Sequence, residues 1–241
     1  MDKIEISFFV PCFNEEKNVV NTLNNIVQSI KDINYEILVC DDGSTDSTKE
    51  QVVNFNNSSD ANITFIENKK NYGIGFSYFK HALKAKGKYY ILINGDNVEP
   101  VETIKKIINL KGSADMIIPY FGANDKRTLK RRIISIFFSS IINLITFTNI
   151  KYFNGPVLHK TENVQLYKSN TYGYGYQAEL ICNLLLHNKT YKQVEVLNSD
   201  RQWGNSKAFN VLNILSVSHS ILNIFINKFT NTIYSIFFNK K

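Results

Sequence analysis

The chain has 241 residues, of which 44% are hydrophobic and 20% are charged, so it can bury a core of its own and is not a disordered tail. Lys and Arg outnumber Asp and Glu by 28 to 21, and the net charge of +7 favours an anionic partner: nucleic acid, a phosphorylated substrate or an anionic membrane surface. Only four of the basic residues are Arg, the side chain most used to read nucleic-acid bases, so nucleic acid is not expected as a partner.

The first 120 residues alternate short apolar runs with helix-like stretches. The predicted strands are Ile4–Val10, Tyr35–Cys40, Ile63–Ile66, Tyr89–Ile93 and Met116–Pro119. The predicted helices between them are Glu16–Ile30, Ser47–Asn56, Ile74–Ala85 and Val101–Leu110. This alternation predicts an α/β fold with a Rossmann-like, mostly parallel sheet and helices on both faces. In such sheets, ligands bind at the carboxyl ends of the strands.

A basic segment and then an apolar one follow the fifth predicted strand. Residues 126–132 contain five basic side chains, and residues 133–150 then run without a charge. Four polar side chains of the apolar segment fall on one helical face: Ser135, Ser139, Asn143 and Thr146. This pattern predicts an amphipathic helix that either lies on a membrane or packs against the domain. We expect the basic cluster at 126–132 to face anionic lipid.

The C-terminal segment shows a similar amphipathic pattern. Asn213, Ser220 and Asn227 recur every seven residues. Opposite them lie large apolar side chains: Leu212, Leu215, Leu222, Phe225, Phe229 and Ile233. Because several Asn side chains make a bilayer crossing costly, we expect an interfacial or packing helix rather than a membrane span. The pattern is compatible with a membrane, a partner chain or the core as the contact surface.

Polar and turn-forming residues follow three of the predicted strands. The first strand is followed by Pro-Cys-Phe-Asn-Glu-Glu at 11–16, the second by Asp-Asp-Gly-Ser-Thr-Asp at 41–46, and the fourth by Asn-Gly-Asp at 94–96. Since the carboxyl ends of parallel strands share one edge of the sheet, these segments are expected to form one site.

The individual acids at this edge suit different tasks. Asp41 is placed to accept hydrogen bonds from the N–H groups of a nucleotide base. Asp42 and Asp46 are explained equally well as helix caps or turn residues. A carboxylate beside a glycine, such as Asp96, suits a Mg²⁺ or Mn²⁺ ion that bridges a diphosphate.

These segments, with Asn-Tyr-Gly-Ile-Gly at 71–75 and Arg-Gln-Trp-Gly-Asn-Ser-Lys at 201–207, resemble the ordered motifs of family 2 glycosyltransferases of the GT-A fold. The subgroup that they resemble contains the dolichol-phosphate mannose synthases and the bacterial polyprenyl-phosphate sugar transferases. The resemblance covers residues 4–207. It implies a glycosyltransferase domain at 1–207, followed by an amphipathic helical tail at 208–241, and an enzyme that uses a nucleotide sugar with Mg²⁺ or Mn²⁺.

The resemblance also implies roles for single residues. The nucleotide-side positions are Pro11, Phe13, Glu15, Asp41, Asn94 and Gly95. Asp96 matches the metal-binding residue of the family's Asp-x-Asp motif, whereas Asn94 stands where the first Asp would be and lacks its charge. Arg201 and Lys207 match catalytic residues at the donor diphosphate and the acceptor phosphate. Arg131 lies in a stretch that resembles an acceptor-side basic segment.

We therefore expect a metal-dependent, inverting glycosyltransferase that moves a sugar from a nucleotide diphosphate to a polyprenyl phosphate. Such an acceptor is already an anion and needs no general base. The alternative acceptor is a hydroxyl of a growing surface glycan, which needs a base, and Glu179 is the candidate. Glu179 is explained equally well as an acid at a helix N-terminus. A non-catalytic nucleotide-sugar-binding protein is a third hypothesis, because Asn94 departs from the motif.

The sequence also indicates a compartment. The three cysteines are too far apart for a metal-ligand set, and an odd number does not make a disulfide framework. The first predicted strand begins at Ile4, which leaves no room for a cleavable secretion signal. We therefore expect a cytoplasmic protein that binds peripherally to the inner face of the cell membrane.

Overall fold

Seven strands form a single sheet at the centre of the protein. The computed structural model describes residues 3–169, 171–199 and 211–237. The strands are β1 (Ile6–Cys12), β2 (Tyr35–Asp41), β3 (Ile63–Glu67), β4 (Tyr89–Leu92), β5 (Met116–Phe121), β6 (Leu158–Lys160) and β7 (Tyr191–Val196). Their order is β3-β2-β1-β4-β6-β5-β7, and β6 runs antiparallel to β4 and β5 while the other pairs are parallel. The prediction of a mostly parallel sheet is confirmed.

Helices cover both faces of this sheet. They are α1 (Val19–Ser29), α2 (Thr48–Ser58), α3 (Ile74–Ala82), α4 (Val101–Ile108), α5 (Leu129–Thr146), α6 (Thr161–Leu166), α7 (Tyr176–Leu186) and α8 (Val211–Phe237). Phe8 and Phe9, which are successive residues of β1, belong to two separate apolar cores. This separation follows because successive side chains of a strand point to opposite faces. Both faces are buried, which explains why the central strands are continuous apolar runs.

The second half of the sheet was not predicted from the sequence. The five predicted strands are all present, but β6 and β7 lie beyond Pro119, where the predicted pattern ends. β6 has only three residues, which is too short to show a period. β7 alternates the buried Val194 and Val196 with exposed residues such as Glu195, as a strand does when only one side is buried.

Helix α5 places its polar side chains in the packed interface and leaves large apolar side chains outside. Ser139 is buried, and the Asn143 amide holds the backbone of Ile150, with Nδ2 donating to its carbonyl at 2.9 Å and Oδ1 accepting its N–H at 3.0 Å. The exposed apolar side chains are Leu129, Ile133, Ile134, Ile136, Phe137 and Leu144. An apolar stripe of this size marks a contact surface.

Helix α8 packs against α5 and α7 and exposes a second apolar stripe. Ser220 is fully buried against Gly175, the residue before α7. A Cβ on Gly175 would lie 2.0 Å from Ser220 Oγ, so glycine allows the two helices to pack this closely. Ile224 continues the packed side. The exposed apolar side chains include Leu215, Leu222, Phe225, Phe229, Tyr234 and Phe237. We call the exposed apolar side chains of α5 and α8 together the apolar face.

In the ranges 3–169, 171–199 and 211–237, no helix combines the length and the apolar character needed to cross a bilayer.

Candidate active site

The carboxyl ends of β1, β2 and β4 meet at one edge of the sheet. Cys12 pairs in register with Asp41, and beyond β4 the backbone N–H of Gly95 donates to the carbonyl of Pro11 at 3.2 Å. A Cβ on Gly95 would lie 2.8 Å from Cys12 Sγ, so glycine allows the turn after β4 to approach β1 this closely. The close approach carries Asp96 to the same edge as Asp41, as the sequence predicted.

The thiol of Cys12 shows how close the acidic side chains of this edge lie to one another. Burial raises the pKa of Cys12 well above its ordinary value, and the charges of Glu15, Asp41 and Asp96 raise it further. These carboxylates belong to three separate chain segments, yet all of them act on one buried thiol. The structure therefore brings together three of the side chains that the sequence assigned to one site.

The loops that follow β1 and β2 are tied together above Asp41. Asp41 is almost fully buried, and its Oδ1 atom accepts the N–H of Ser44 at 2.9 Å. The N–H of Asn14 donates to Ser44 Oγ at 2.9 Å, and Asn14 Oδ1 accepts the N–H of Thr45 at 2.8 Å. Asn14 has a left-handed φ of 58°, a conformation that Asn adopts more readily than most residues. These bonds hold the two predicted nucleotide-binding segments in one fixed arrangement.

The other nucleotide-side residues of the first segment lie on the same loop. Pro11 and Phe13, at the end of β1 and just beyond it, are half-buried. Glu15 is 8% exposed, its N–H donates to Thr48 Oγ1 at 2.8 Å, and its Oε2 atom accepts Asn18 Nδ2 at 2.8 Å. Glu15 therefore braces the loop, and its contact with a nucleotide stays a prediction.

Asp42, unlike Asp41, holds a neighbouring loop in place. Its carboxylate accepts the Asn68 amide at 2.8 Å and the backbone N–H groups of Tyr72 and Gly73 at 3.1 and 3.0 Å. It thereby anchors the loop that leads into α3. Asp46 accepts a first-turn N–H of α2 at 3.0 Å, which is the capping role considered for it from the sequence.

The turn after β4 holds an amide and two carboxylates. Asn94 is half-buried, and its Nδ2 atom donates to Glu99 Oε1 at 3.3 Å. Glu99 is 5% exposed; burial and, after it, the charge of Asp96 raise the pKa of Glu99 from 4.5 to about 8. The sequence analysis missed Glu99, because an acid directly before Pro100 at the start of α4 is indistinguishable by pattern from an ordinary helix N-terminal acid.

The side chains of this turn fit a hard divalent cation. Between residues 3 and 237, with the gaps given above, no cluster of three or more His, Cys, Asp or Glu side chains suits a metal ion. Mg²⁺, however, is commonly held by one or two carboxylates, with substrate phosphates and water completing its shell. Asp96, Glu99 and the Asn94 amide oxygen provide such a partial set, and Glu99 Oε2 is buried without a hydrogen-bond partner among the described residues. The turn suits a cation shared with a diphosphate rather than an all-protein cage.

A second group of residues missed by the sequence analysis surrounds Arg127. Its Nε atom donates to both Asp125 oxygens at 3.0 Å, and Nη2 donates to Oδ2 at 2.7 Å. The guanidinium lies 4.8 Å from the ring centre of Phe121 and 4.6 Å from that of Tyr152. Within the basic cluster expected to face lipid, Arg127 is therefore held inside the protein.

Tyr152 connects this group with the turn after β4. Burial raises the pKa of Tyr152, the cations of Arg127 and Arg131 lower it, and the charge of Glu99 raises it again. Arg131, predicted to lie at the acceptor phosphate, and Glu99, beside the predicted metal ligand, thus act on the same hydroxyl. The acceptor-side and metal-side residues lie near one another.

Glu179 occupies a different environment, in the first turn of α7. It is 5% exposed, and its carboxylate accepts a hydrogen bond from the Thr171 hydroxyl. Tyr167 also hydrogen-bonds to it. Glu179 lines a cavity of about 220 Å³ between α5, α7 and α8, which also contains Cys182 and Lys228. Its position in the first turn agrees with the helix N-terminal explanation, and its role as a base stays a prediction.

Two predicted catalytic residues lie outside the part of the chain that the structure describes. Arg201 and Lys207 both fall between residues 199 and 211, as does the boundary predicted between the catalytic domain and the tail. Their roles rest on the sequence motif alone.

Comparison with known sequences supports the assignment reached from the residues. Residues 7–173 match Glycosyl transferase family 2. An uncharacterised protein of Methanocaldococcus jannaschii is 30% identical over 198 residues, which cover 77% of this chain and 83% of the relative. Dolichol-phosphate mannosyltransferase of Pyrococcus furiosus is 28% identical over 116 residues, or 48% of this chain and 32% of that protein. Undecaprenyl-phosphate 4-deoxy-4-formamido-L-arabinose transferase of Yersinia pestis is 19% identical over 220 residues, or 90% of this chain and 66% of that protein.

Comparison with solved structures supports the fold. Glucosyl-3-phosphoglycerate synthase of Mycobacterium tuberculosis, crystallised with Mn²⁺, uridine diphosphate and phosphoglyceric acid, superposes with a TM-score of 0.69. The superposition covers 93% of this chain and 78% of that chain at 14% identity, so it bears on the fold alone, which is the GT-A fold. Because the family match extends over more than half of the sequence and the predicted motifs meet at one edge of the sheet, the chain is a glycosyltransferase that belongs to glycosyl transferase family 2.

Proposed function

We propose that this chain transfers a sugar from a nucleotide diphosphate to a polyprenyl phosphate, with inversion and with the help of Mg²⁺ or Mn²⁺, at the cytoplasmic surface of the membrane. One observation carries the proposal: Asp41 and Asp96 lie close to Cys12, on either side of the end of β1. Asp41, the proposed base-binding carboxylate, and the turn of Asp96, the proposed cation site, therefore flank the end of β1. This spacing suits a single nucleotide diphosphate that contacts both. The polyprenyl-phosphate relatives, of which this chain spans about a third to two thirds, support the choice of acceptor.

On the donor side, each residue has a task that its position supports. Asp41 accepts N–H groups of the base, and the bonded loops above it fix its direction. Gly95 lets the turn after β4 lie against β1, and Asp96 with Asn94 offers oxygen ligands to the cation. The bound cation would neutralise the charge that develops on the leaving diphosphate.

On the acceptor side, the residues favour an anion. Arg127 and Arg131 both lower the pKa of Tyr152, so two cations lie near the metal-side turn. A phosphate acceptor attacks the anomeric carbon directly as an anion, and one such displacement inverts the configuration without a general base. Glu179 accepts hydrogen bonds from Thr171 and Tyr167 and is not needed for this route.

The apolar face supports attachment to an anionic membrane. Neither α5 nor α8 contains an acidic residue, while three consecutive basic residues follow Leu129 at the start of α5 and α8 contains Lys228. Phe137 and Phe229 are 67% and 58% exposed on this face. Apolar side chains next to basic ones bind an anionic bilayer surface, with about 1 kcal/mol from each basic residue near the lipid head groups. A lipid-linked acceptor would then be reached without leaving the membrane.

The activity is tested with radiolabelled UDP- and GDP-linked sugars, polyprenyl phosphate vesicles and Mn²⁺. We expect label in an acid-labile lipid fraction, loss of transfer in Asp96→Ala, and normal transfer in Asp60→Ala, which removes an exposed acid from the loop between α2 and β3. Transfer that requires a saccharide acceptor, and that is lost in Glu179→Gln, would replace the lipid acceptor with a glycan hydroxyl. Tight nucleotide binding without turnover of any donor would support a binding protein instead.

Membrane attachment is tested by flotation with vesicles that contain anionic lipid. Phe137→Asp and Phe229→Asp should weaken flotation, because each places a charge where an aromatic ring would be buried in the interface. Val53→Asp is the control, since Val53 is exposed on α2, which packs on the opposite face of the sheet. If the two Phe variants float like the wild type but lose a concentration-dependent dimer, a second copy of the chain, and not the membrane, covers the apolar face.

A further inference from the structure

Glu99 is a buried acid whose carboxylate is only partly satisfied by the fold, through the Asn94 side chain and nearby backbone N–H groups. It is 5% exposed, and its Oε2 atom has no hydrogen-bond partner among the described residues. Burying a carboxylate with one oxygen unsatisfied is costly unless a partner compensates for the lost hydration. The described side chain that bonds to it, the Asn94 amide at 3.3 Å, is neutral and reaches only Oε1. When Glu99 is ionised, the position therefore calls for a positive partner at Oε2.

The turn that carries Glu99 is held in place by α1. Asn25 Nδ2 donates to the Glu99 carbonyl at 3.2 Å and to Asn97 Oδ1 at 2.9 Å. Thr22 Oγ1 donates to the Asn94 carbonyl at 3.3 Å. Both ends of the turn are therefore tied to the same helix, so Glu99 and Asn94 keep their relative positions. This fixed arrangement is what a ligand set for a cation needs.

We propose that Glu99 supplies the second carboxylate of the divalent-cation site, in place of the Asp that Asn94 replaces. The inference rests on the metal-dependent function proposed above and adds a residue to its site. With Asn94 in the motif the turn would offer the cation one negative charge, from Asp96. Glu99, three residues further along, brings the acidic charge back to two. Because Nδ2 of Asn94 is bonded to Glu99, the amide oxygen of Asn94 is the atom left for a cation.

The electrostatics of the turn agree with this assignment. Asp96 and Glu99 are three residues apart on one short turn that α1 holds in place. Two carboxylates that repel one another in the free protein become mutually compatible when a divalent cation lies between them. A donor diphosphate and water would complete the coordination shell, as is usual for Mg²⁺.

The test compares Mn²⁺ binding in wild type, Glu99→Gln and Glu102→Gln by calorimetry and by the electron paramagnetic resonance signal of free Mn²⁺, with UDP or GDP present. Gln at position 99 keeps a carbonyl that accepts from Asn94 Nδ2, so it removes the charge and preserves the hydrogen bond. We expect Mn²⁺ affinity to fall by about tenfold to a hundredfold in Glu99→Gln. Glu102→Gln removes the same charge from an exposed position three residues away and should bind Mn²⁺ like the wild type.

A charge exchange provides the second arm. In the double variant Asn94→Asp with Glu99→Gln, the two acids become those of an Asp-x-Asp motif, and Mn²⁺ affinity should return towards that of the wild type. If Glu99→Gln binds Mn²⁺ as the wild type does, Glu99 only positions Asn94 and the inference is overturned. If the wild type itself binds no Mn²⁺, both this inference and the metal dependence of the proposed function fail. Mn²⁺ binding by the wild type thus distinguishes failure of the whole metal site from failure of the Glu99 assignment alone.

Discussion

Asp41 and Asp42 are adjacent buried carboxylates at the end of β2, and we expect their removal to have opposite consequences. Asp42 accepts hydrogen bonds from the Asn68 amide and from the backbone N–H groups of Tyr72 and Gly73. The Asp41 carboxylate accepts the backbone N–H of Ser44, and Asp41 is the residue predicted to bind the base. Asp42→Ala should therefore damage stability, whereas Asp41→Ala should damage nucleotide binding.

The magnitudes follow from the number of donors left without an acceptor. Each buried donor without a partner costs about 1–3 kcal/mol. Asp42 accepts from four donors, the fourth being the Ser77 hydroxyl at 3.4 Å, and with partial rehydration their loss amounts to about 3–5 kcal/mol. For a chain of this size, 1 kcal/mol corresponds to about 2–4 °C in melting temperature, which predicts a decrease of roughly 6–20 °C for Asp42→Ala. Asp41→Ala leaves one donor unsatisfied and should lower the melting temperature by only a few degrees.

Thermal unfolding followed by circular dichroism measures the loss of stability, and calorimetric titration with UDP and GDP measures the loss of nucleotide binding. Asp41→Ala should melt near the wild type and lose nucleotide affinity; Asp42→Ala should melt far lower and still bind nucleotide below its melting temperature. Equal decreases in melting temperature would refute the assignment of the structural role to Asp42. Wild-type nucleotide affinity in Asp41→Ala would refute the base-binding role of Asp41.

Three further predictions concern the turn after β4 and an ion pair at the amino end of β5. Gly95→Ala places a Cβ 2.8 Å from Cys12 Sγ, so the turn after β4 must move. We expect thermal melting to show about 1–3 kcal/mol of lost stability, and sugar transfer to be about a hundredfold slower. Turnover at the wild-type rate would contradict the argument that this position requires glycine. The Lys160 ammonium lies 2.7 Å from the Asp115 carboxylate and lowers its pKa, so the ion pair stabilises the fold above pH 3.8 and this contribution is lost as the pH falls. Because the pair is partly exposed to solvent, Asp115→Asn should lower stability at neutral pH by only about 0.5–1 kcal/mol. It should also flatten the acid limb of a pH–stability curve. Burial and a neighbouring carboxylate raise the pKa of Glu99 from 4.5 to about 8. The metal-free wild type should therefore lose stability as the pH rises from 4.5 to about 8, because the unfolded chain releases the Glu99 proton more readily. Glu99→Gln should remove this dependence of stability on pH, and an unchanged dependence would contradict the raised pKa.

Much of the fold was readable from local pattern. Continuous apolar strands separated by helical stretches predicted the parallel half of the sheet, because burial on both faces makes each strand apolar throughout. The carboxyl-end rule then predicted that Asp41 and Asp96 would share one edge, and they do. The antiparallel strand β6 was not predicted, because its three residues are too few to show the alternation of apolar and polar residues that marks a strand.

The site was only partly readable. Motif spacing identified Asp96 and Asn94, but nothing in the sequence separates Glu99 from an ordinary acid at the start of a helix. Likewise Arg127 looked like one member of a basic cluster, and only the packing of Phe121 and Tyr152 around its guanidinium shows that it lies inside the protein. Burial and partners decide such roles, and neither is a property of local sequence.

The sequence by itself determined the α/β class, the glycosyltransferase family and the sheet edge that carries the site, because strand periodicity and ordered motifs are local. It also determined the net charge of +7. Only the tertiary structure decided how that charge is divided: Arg127 is paired with Asp125 and half-buried, whereas the basic residues of α5 lie beside an exposed apolar face. The physical reason is that charge and amphipathic pattern follow from composition, whereas the side of a helix that becomes buried depends on what packs against it.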